Sequence, residues 1–223
     1  MTTKPADARI SQADIKVIYD RMSKFYNLWA RVAESMARQR ALELADVKDG
    51  QSVLEVAVGT GLAFEEMVKR NAHGRNAGLD ISEGMLSKAK QRLARSGKAN
   101  YELKLGSAFD LPYPRESFDL LLNNYMFDLI PFEAMDRILQ EFWRVLKPGG
   151  SLVLANMAAP TSWRDGFYEG VYRLSPRLMG GCRGVQMVAR LASQGFHIET
   201  QEYIRQFGFP SEVISAKKVS PKG

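Results

Sequence analysis

The residues with the clearest chemical meaning lie around a glycine turn at Gly59-Thr60-Gly61. The apolar run that begins at Ser52 contains an acid, Glu55, and ends directly before this turn. Glycines permit a tight turn and let the backbone approach a ligand closely. If a helix follows the turn, its first amide groups face the ligand as well. The pattern therefore predicts a ligand site at the end of a buried strand.

A second acid, Asp80, ends the next predicted strand, where it is placed to accept hydrogen bonds from ribose hydroxyls. A dinucleotide fingerprint needs a third glycine where this chain has Phe64, and no Gly-Lys-Ser/Thr follows that would indicate a triphosphate loop. Glu55 suits a positively charged amino group better than phosphates. The two acids together indicate a nucleoside that bears an amino acid.

Each acid also has a structural alternative. Asp80 could cap the helix that follows it, and Glu55 could pair with another side chain inside the protein. An acid within a buried strand needs a partner, because the burial of an unpaired charge is costly. A ligand role is therefore favoured for both acids.

The elements that must position these acids follow from the periodicity of apolar residues. The last two predicted strands have no helix between them, so they should form an antiparallel hairpin at one edge. The other strands alternate with helices, which predicts a parallel sheet covered on both faces. The predicted helices span about 11–46, 62–70, 83–95, 132–146 and 185–194, and the predicted strands span 52–58, 76–80, 101–105, 118–123, 151–157, 196–203 and 212–217.

Composition limits the remaining classes of protein. No run approaches ~18 uninterrupted apolar residues, and the N-terminus lacks the apolar core of a secretory signal. The single cysteine, Cys182, excludes an internal disulfide, and two isolated histidines, His73 and His197, do not suit a metal centre. These absences predict a cytoplasmic protein without a metal.

The net charge of +6 is moderate, and much of it lies in the predicted helix 83–95. Lys88, Arg92 and Arg95 share one face of that helix, opposite Met85, Leu86, Ala89 and Leu93. Such a face could attract nucleic acid or a lipid surface. The favoured interpretation is a solvated outer helix face, since amphipathic helices commonly carry one.

Five segments in a fixed order resemble the class I S-adenosylmethionine-dependent methyltransferases. Within that class the resemblance is to the branch that contains the ubiquinone and menaquinone C-methyltransferases and phospholipid N-methyltransferases. It covers roughly residues 15–157 and is carried by 19–26, 53–61, 78–86, 111–119 and 144–150. It implies S-adenosyl-L-methionine as cofactor and an α/β, Rossmann-like, seven-stranded, mostly parallel sheet with helices on both faces and an antiparallel C-terminal hairpin. It further implies a helical lid over 1–47 and a methyltransferase domain over 48–223, with an insertion at 158–184.

The same resemblance assigns the cofactor site. Glu55 and the backbone at Ala57, Gly59 and Gly61 would bind the methionine part, and Asn123 would offer its carbonyl oxygen to the ammonium. Asp80 would hold the ribose hydroxyls. The adenine would lie near Ile81 and Met85, with Ser107, Ala108 and Phe109 around its edge, and Tyr19 and Tyr26 would belong to the lid. The family commonly has glycine at the position of Ala57 and often aspartate at the position of Ser107, so Asp110 is an alternative partner for the adenine amino group.

Methyl transfer from a sulfonium mainly requires a positioned acceptor and the exclusion of water. Asp128 is the best candidate for a general base, and its alternative is an exposed loop acid. Aromatic residues, with arginines nearby, suit a small or lipid-like acceptor, either a quinone ring carbon or a phospholipid amine. The aromatic set is Tyr26, Trp29, Tyr125, Phe127, Trp163, Phe167, Tyr168 and Tyr172, and the arginines are Arg164, Arg173, Arg177 and Arg183.

A lipid-like acceptor would bring the protein to a membrane surface as a peripheral partner. An RNA methyltransferase is the first alternative, although no separate RNA-binding domain is present and no nucleic acid is expected. A non-catalytic cofactor-binding protein on the same fold is the second alternative, because a fold does not fix a function. The oligomeric state and the role of 175–184 stay open.

Overall fold

The computed structural model of this chain describes residues 35–97, 99–158, 183–206 and 209–219. Tyr19, Tyr26 and Trp29, which belong to the predicted lid, lie outside these residues. Most of the predicted insertion also lies outside them, including Trp163, Arg164, Phe167, Tyr168, Tyr172, Arg173, Arg177 and Cys182. Within the described ranges no helix is long and apolar enough to cross a membrane, and no group of His, Cys, Asp and Glu could hold a metal ion.

The described part of the chain contains seven strands and five α-helices, with one 3-10 turn at Phe127–Leu129. The helices are α1 Ser35–Ala45, α2 Leu62–Arg70, α3 Glu83–Arg95, α4 Phe132–Val145 and α5 Val188–Ser193. The strands are β1 Ser52–Val56, β2 Arg75–Asp80, β3 Tyr101–Leu105, β4 Phe118–Asn124, β5 Leu146–Met157, β6 Phe196–Gln206 and β7 Phe209–Lys218.

All seven strands form one sheet in the order β3-β2-β1-β4-β5-β7-β6. The five strands from β3 to β5 pair in parallel, whereas β7 is antiparallel to both β5 and β6. The predicted mostly parallel sheet with an antiparallel C-terminal hairpin is therefore confirmed. The strand order reverses between β1 and β4, and ligands bind at such a reversal in open α/β sheets.

Element boundaries differ from the prediction for local reasons. Strand β1 ends at Val56 rather than at 58, because Ala57 has a φ of 60° and turns the chain out of the sheet. Strand β5 begins at Leu146 rather than at 151, because Leu146 already pairs with Phe118 of β4. Helix α5 begins at Val188 rather than at 185, since Val185 forms an isolated bridge with Ala158.

Two apolar layers cover the two faces of the sheet. On one face Leu54 and Val56 of β1 pack with the buried side of α4, including Ile138 and Phe142. On the other face Val53 packs with the buried alanines of α1. Because side chains alternate along a strand, Glu55 shares the α1 face with Val53. Helix α1 is therefore the element that can place side chains beside Glu55.

Helix α3 buries the apolar face that its sequence predicts, with Met85, Leu86, Ala89 and Leu93 inside. Arg92 on the other side donates from its Nε to the carbonyl oxygen of Thr60 at 3.0 Å. One of the three cations on the basic face therefore braces the glycine turn. Arg95 is exposed, as expected for a solvated face.

Candidate functional site

Two cavities adjoin each other at the carboxyl ends of β1, β2 and β4, with volumes of about 110 and 50 Å³. Four residues line both: Ala57, Gly59, Asn124 and Tyr125. The larger cavity is otherwise lined by Val56, Leu79, Asp80, Ile81, Ser82, Met85, Gly106, Ser107, Ala108, Phe109, Met126, Leu129 and Ile130. The smaller is otherwise lined by Arg38, Glu55, Val58, Thr60, Leu62 and Ala63.

The glycine turn separates the two cavities and uses left-handed backbone conformations. Gly59 and Gly61 have φ angles of 57° and 79°, values that residues with a side chain rarely adopt. At Gly61 a Cβ atom would lie only 3.0 Å from the Cβ of Ala89, so this glycine also lets the start of α2 approach α3. Ala57 adopts a φ of 60° with a side chain present. The backbone conformation of Ala57 thus favours glycine, which the family commonly has at this position.

Asp80 at the end of β2 is tied to this turn by its carboxylate. One oxygen accepts from the amide of Gly59 at 2.7 Å, and the other accepts from the amide of Ser82 at 2.9 Å. The hydroxyl of Ser82 in turn accepts from the amide of Met85 and caps α3. The helix cap is therefore Ser82, whereas Asp80 lines the larger cavity at 7% exposure.

Glu55 is buried, at 2% exposure, beside the smaller cavity. Its Oε1 accepts a long hydrogen bond of 3.5 Å from the side-chain amide of Asn124, and its Oε2 has no hydrogen-bond partner among the described residues. Burial raises the pKa of the Glu55 carboxyl well above its usual range. The Asn124 hydrogen bond and the charge of Arg38 lower the pKa, and the charge of Asp80 raises it further. A cationic donor is the ligand group that would stabilise this carboxylate.

Arg38 is a site residue that the sequence did not reveal. Its side chain enters the smaller cavity from α1 and faces the region of Glu55. Arg38 precedes the buried Leu42 by one helical turn, so it continues the buried face of α1. A cation in line with an apolar helix face is the signal that could have found it.

Helix α1 is held in place by contacts with the edge strand β6. Arg40 makes a bidentate pair with Glu202, with both N–O distances at 2.7 Å. The Gln206 side chain accepts from the amide of Met36 and donates to the hydroxyl of Ser35. These contacts fix the first turns of α1, and with them the position of Arg38.

The residues that are predicted to surround the adenine all line the larger cavity. Ile81, Met85, Ser107, Ala108 and Phe109 all contribute to its wall. Ile81 is 40% exposed, so its side chain lies at the mouth. The hydroxyl of Ser107 accepts from the amide of Phe109 at 3.3 Å. Asp110, the alternative partner for an adenine amino group, is exposed and does not line this cavity.

Two consecutive asparagines end β4 and point in opposite directions. Asn123 is completely buried, and its amide donates to the carbonyl oxygen of Val56 at 2.8 Å. It lines neither cavity, so its contact with a ligand stays a prediction. Asn124 lines both cavities, and its Oδ1 has no hydrogen-bond partner among the described residues. The structure thus brings Asn124 to the site together with Glu55.

Asp128 is completely buried, so the alternative of an exposed loop acid is wrong. Its Oδ1 accepts from the amide of Met157 at 3.1 Å, and it lines neither cavity. Its role as a general base stays a prediction. Phe127 lies in the core, edge to face with Phe142, and Arg183 is buried against Phe132. Among the predicted acceptor-pocket residues that the structure describes, only Tyr125 lines a cavity.

Residues 53–150 match the sequence profile of a family described as a methyltransferase domain. Just under half of the chain is therefore similar to a methyltransferase domain. The matched residues run from the start of β1 to the Pro-Gly-Gly turn and include the glycine turn, Glu55 and Asp80. The family resemblance that the five segments indicated is confirmed.

Proteins similar in sequence to this chain include curated demethylmenaquinone methyltransferases. A demethylmenaquinone methyltransferase from Desulfitobacterium hafniense is 34% identical over 147 residues, which are 64% of this chain and 57% of that protein. One from Lactococcus lactis is 34% identical over 167 residues, or 71% of this chain and 62% of that protein. The chain therefore spans somewhat less than two thirds of the length of these relatives.

Solved structures share the fold of the methyltransferase domain at low sequence identity. The N-methyltransferase NodS from Bradyrhizobium japonicum, in complex with S-adenosyl-L-homocysteine, has a TM-score of 0.72 at 15% identity, covering 92% of this chain and 98% of that one. The [4+2]-cyclase SpnF has a TM-score of 0.74 at 18% identity, covering 97% and 99%. A fold shared by proteins with such different names does not by itself select a reaction.

Proposed function

We propose that this protein transfers a methyl group from S-adenosyl-L-methionine to the ring of a quinone-type acceptor. The observation that carries the proposal is the pair of adjoining cavities. The smaller one presents Glu55 and Arg38, and the larger one presents Asp80. A carboxyl group and a guanidinium in one cavity, and a second acid in the next, suit the two ends of a single amino-acid-bearing nucleoside.

The smaller cavity fits the methionine end of the cofactor. Glu55 Oε2 and Asn124 Oδ1 are buried acceptors without a protein donor among the described residues, and an ammonium group supplies donors. Arg38 supplies the donors that a carboxylate requires. The cavity therefore holds partners for both charged groups of an amino acid.

The larger cavity fits the adenosine end. Asp80 would accept from the ribose hydroxyls, because its carboxylate is already oriented by the amides of Gly59 and Ser82. Ile81, Met85 and Phe109 offer apolar surface to the adenine. The residues shared by the two cavities would then lie near the sulfonium.

The bound cofactor supplies an activated methyl group and a good leaving group, so the protein needs to orient the acceptor and exclude water. Met126, Leu129 and Ile130 form an apolar wall of the larger cavity that could hold an apolar ring. The similarity to demethylmenaquinone methyltransferases supports a quinone ring over a phospholipid amine. A prenylated quinone resides in the membrane, so we expect the protein to associate peripherally with the cytoplasmic surface of the membrane.

The test combines binding and turnover. Titration calorimetry with S-adenosyl-L-homocysteine should show binding, and mass spectrometry should show methylation of a short-chain demethylmenaquinol. Vesicles of phosphatidylethanolamine and a bulk RNA sample serve as competing acceptors. Methylation of the lipid amine or the RNA in place of the quinol would refute the acceptor. Binding of S-adenosyl-L-homocysteine without methylation of any acceptor would favour a non-catalytic protein. No binding at all would refute S-adenosyl-L-methionine as the cofactor.

A further inference from the structure

The loop after β4 forms one wall of the larger cavity through Tyr125, Met126, Leu129 and Ile130. We define residues 125–130 as the β4 loop. It begins with Tyr125 in a left-handed conformation, at a φ of 53°, and continues into the 3-10 turn. A left-handed tyrosine is strained, so the surroundings must hold the loop in this shape. The structure shows which contacts hold it.

Tyr125 is anchored at its backbone and at its ring. Its amide donates to the carbonyl oxygen of Ala155 at 2.7 Å, and its hydroxyl lies 2.8 Å from the hydroxyl of Ser211. These contacts tie the beginning of the loop to β5 and β7. They leave the end of the loop, at Leu129 and Ile130, to be fixed by other residues.

The end of the loop is fixed by two buried side chains of opposite charge. The Oδ1 of Asp128 accepts from the backbone amide of Met157 at 3.1 Å, and the side-chain amide of Asn156 faces the same oxygen. Arg183 donates from its guanidinium to the carbonyl oxygen of Ile130. Its own amide donates to the carbonyl oxygen of Asp128 at 3.3 Å.

Arg183 is also fixed from the other side. Its guanidinium carbon lies 4.0 Å from the centre of the Phe132 ring, at the start of α4. Stacking of this kind orients the planar guanidinium. Ile130 lies between Asp128 and Phe132 along the chain, so the same arginine contacts residues on both sides of this cavity residue.

We propose that Asp128 and Arg183 are positioning residues that fix the β4 loop as the acceptor wall, and that Asp128 is not the general base. This inference rests on the proposed function, because it assigns the loop to the acceptor. The Asp128 carboxylate points to the end of β5, and neither cavity reaches it. A general base must lie within hydrogen-bond reach of the proton that it removes.

The two roles predict different kinetics for conservative and disruptive variants. In Asp128→Asn an amide oxygen can still accept from Met157, so we expect kcat within about threefold of the wild type and an unchanged pH profile of kcat. In Asp128→Ala and Arg183→Met we expect kcat/KM for the quinol to fall roughly tenfold to a hundredfold, mainly through KM, because the wall shifts. Affinity for S-adenosyl-L-homocysteine should stay within about twofold, since Asp80 and Glu55 do not depend on this loop.

Asp46→Asn is the matched control, because Asp46 is an exposed acid with a left-handed backbone that asparagine tolerates. A loss of kcat of about a hundredfold or more in Asp128→Asn, together with a lost limb of the pH profile, would establish a base and overturn the proposal. Wild-type kinetics in both disruptive variants would overturn it as well.

Hydrogen exchange separates this proposal from the proposed function. Peptides that contain 126–131 and Met157 should exchange faster in Asp128→Ala than in the wild type, while peptides of β1 and β2 stay protected. This result is expected whichever acceptor is methylated. Unchanged exchange in 126–131 would refute the positioning role even if the wild type methylates the quinol, and an inactive wild type with the expected exchange would refute only the proposed function.

Discussion

The carboxylate of Asp80, at the end of β2, accepts a hydrogen bond of 2.7 Å from the amide of Gly59, in the turn that follows β1. The acid predicted to bind the ribose therefore also holds the glycine turn that separates the two cavities. A change at Asp80 alters both cavities together, since Gly59 lines both. A ligand bound to Asp80 would therefore be coupled to the geometry of the turn through this one hydrogen bond.

Asp80→Asn should weaken the binding of S-adenosyl-L-homocysteine by roughly tenfold to a hundredfold. The amide can accept from only one of Gly59 and Ser82, and it lacks the charge that strengthens a bond to ribose hydroxyls. Titration calorimetry measures the change. Asp110→Asn is the control, because Asp110 is exposed and outside the cavity wall. An equal loss at Asp110 would instead support its alternative role as the partner of the adenine amino group.

Arg38→Met should weaken the binding of S-adenosyl-L-homocysteine by roughly tenfold or more, because the ligand carboxylate loses its charged donors. Affinity for 5′-methylthioadenosine, which lacks the amino-acid end, should stay the same. Calorimetry with both ligands gives the comparison. Arg95→Met, which removes an exposed cation of α3, should affect neither ligand. Equal losses for both ligands would show that Arg38 supports the fold rather than the carboxylate.

The affinity for S-adenosyl-L-homocysteine should depend on pH through Glu55. Burial raises the pKa of Glu55 in the free protein, and a ligand ammonium binds the ionised carboxylate. As the pH falls through this raised pKa, Glu55 takes up a proton that binding must displace. Affinity should therefore decrease on acidification, approaching about tenfold per pH unit, and the dependence should be absent in Glu55→Gln. A Glu66→Gln control, at an exposed acid of α2, should keep the slope.

The same raised pKa of Glu55 has the opposite consequence for stability. Between its ordinary and its raised pKa the folded protein binds more protons at Glu55 than the unfolded chain does, so the free energy of unfolding falls as pH rises. Glu55→Gln should therefore be more stable than the wild type at neutral pH, although it binds the ligand less well. Urea unfolding at several pH values measures this. A less stable variant would indicate that the carboxylate is a structural partner within the fold.

Much of this arrangement could be predicted from sequence because it depends on local periodicity and on the end of each strand. The parallel sheet, the glycine turn and Asp80 follow from the alternation of strands and helices, which brings the carboxyl ends of parallel strands to one edge. The exact bounds did not follow, since the end of β1 is set by the backbone at Ala57 and the start of β5 by its pairing with Phe118.

The side-chain details required the three-dimensional contacts. Asn123 and Asn124 have the same chemistry, and the pleat of β4 decides which of them faces the cavities. Arg38 is one of many cations before β1, and the packing of α1 on the sheet places it beside Glu55. Asp128 follows a strand, where a loop acid would be expected, but it accepts a hydrogen bond from Met157, which is far away in sequence. The sequence can place Arg38 on the buried face of α1, but it does not show which residue that side chain meets across the cavity.

Ala57→Gly should stabilise the protein, by about 0.5 kcal/mol. The left-handed backbone of Ala57, at a φ of 60°, costs roughly 1–2 kcal/mol when a side chain is present. Glycine removes this cost, but its greater freedom in the unfolded chain offsets about 0.4–1 kcal/mol of the stabilisation. Ala63→Gly is the matched control, because Ala63 is a buried residue inside α2. It should destabilise by about 1 kcal/mol. Thermal or urea unfolding of the two variants gives the signs, and a loss of stability of similar size in both would show that Ala57 is held without strain by its packing against the core.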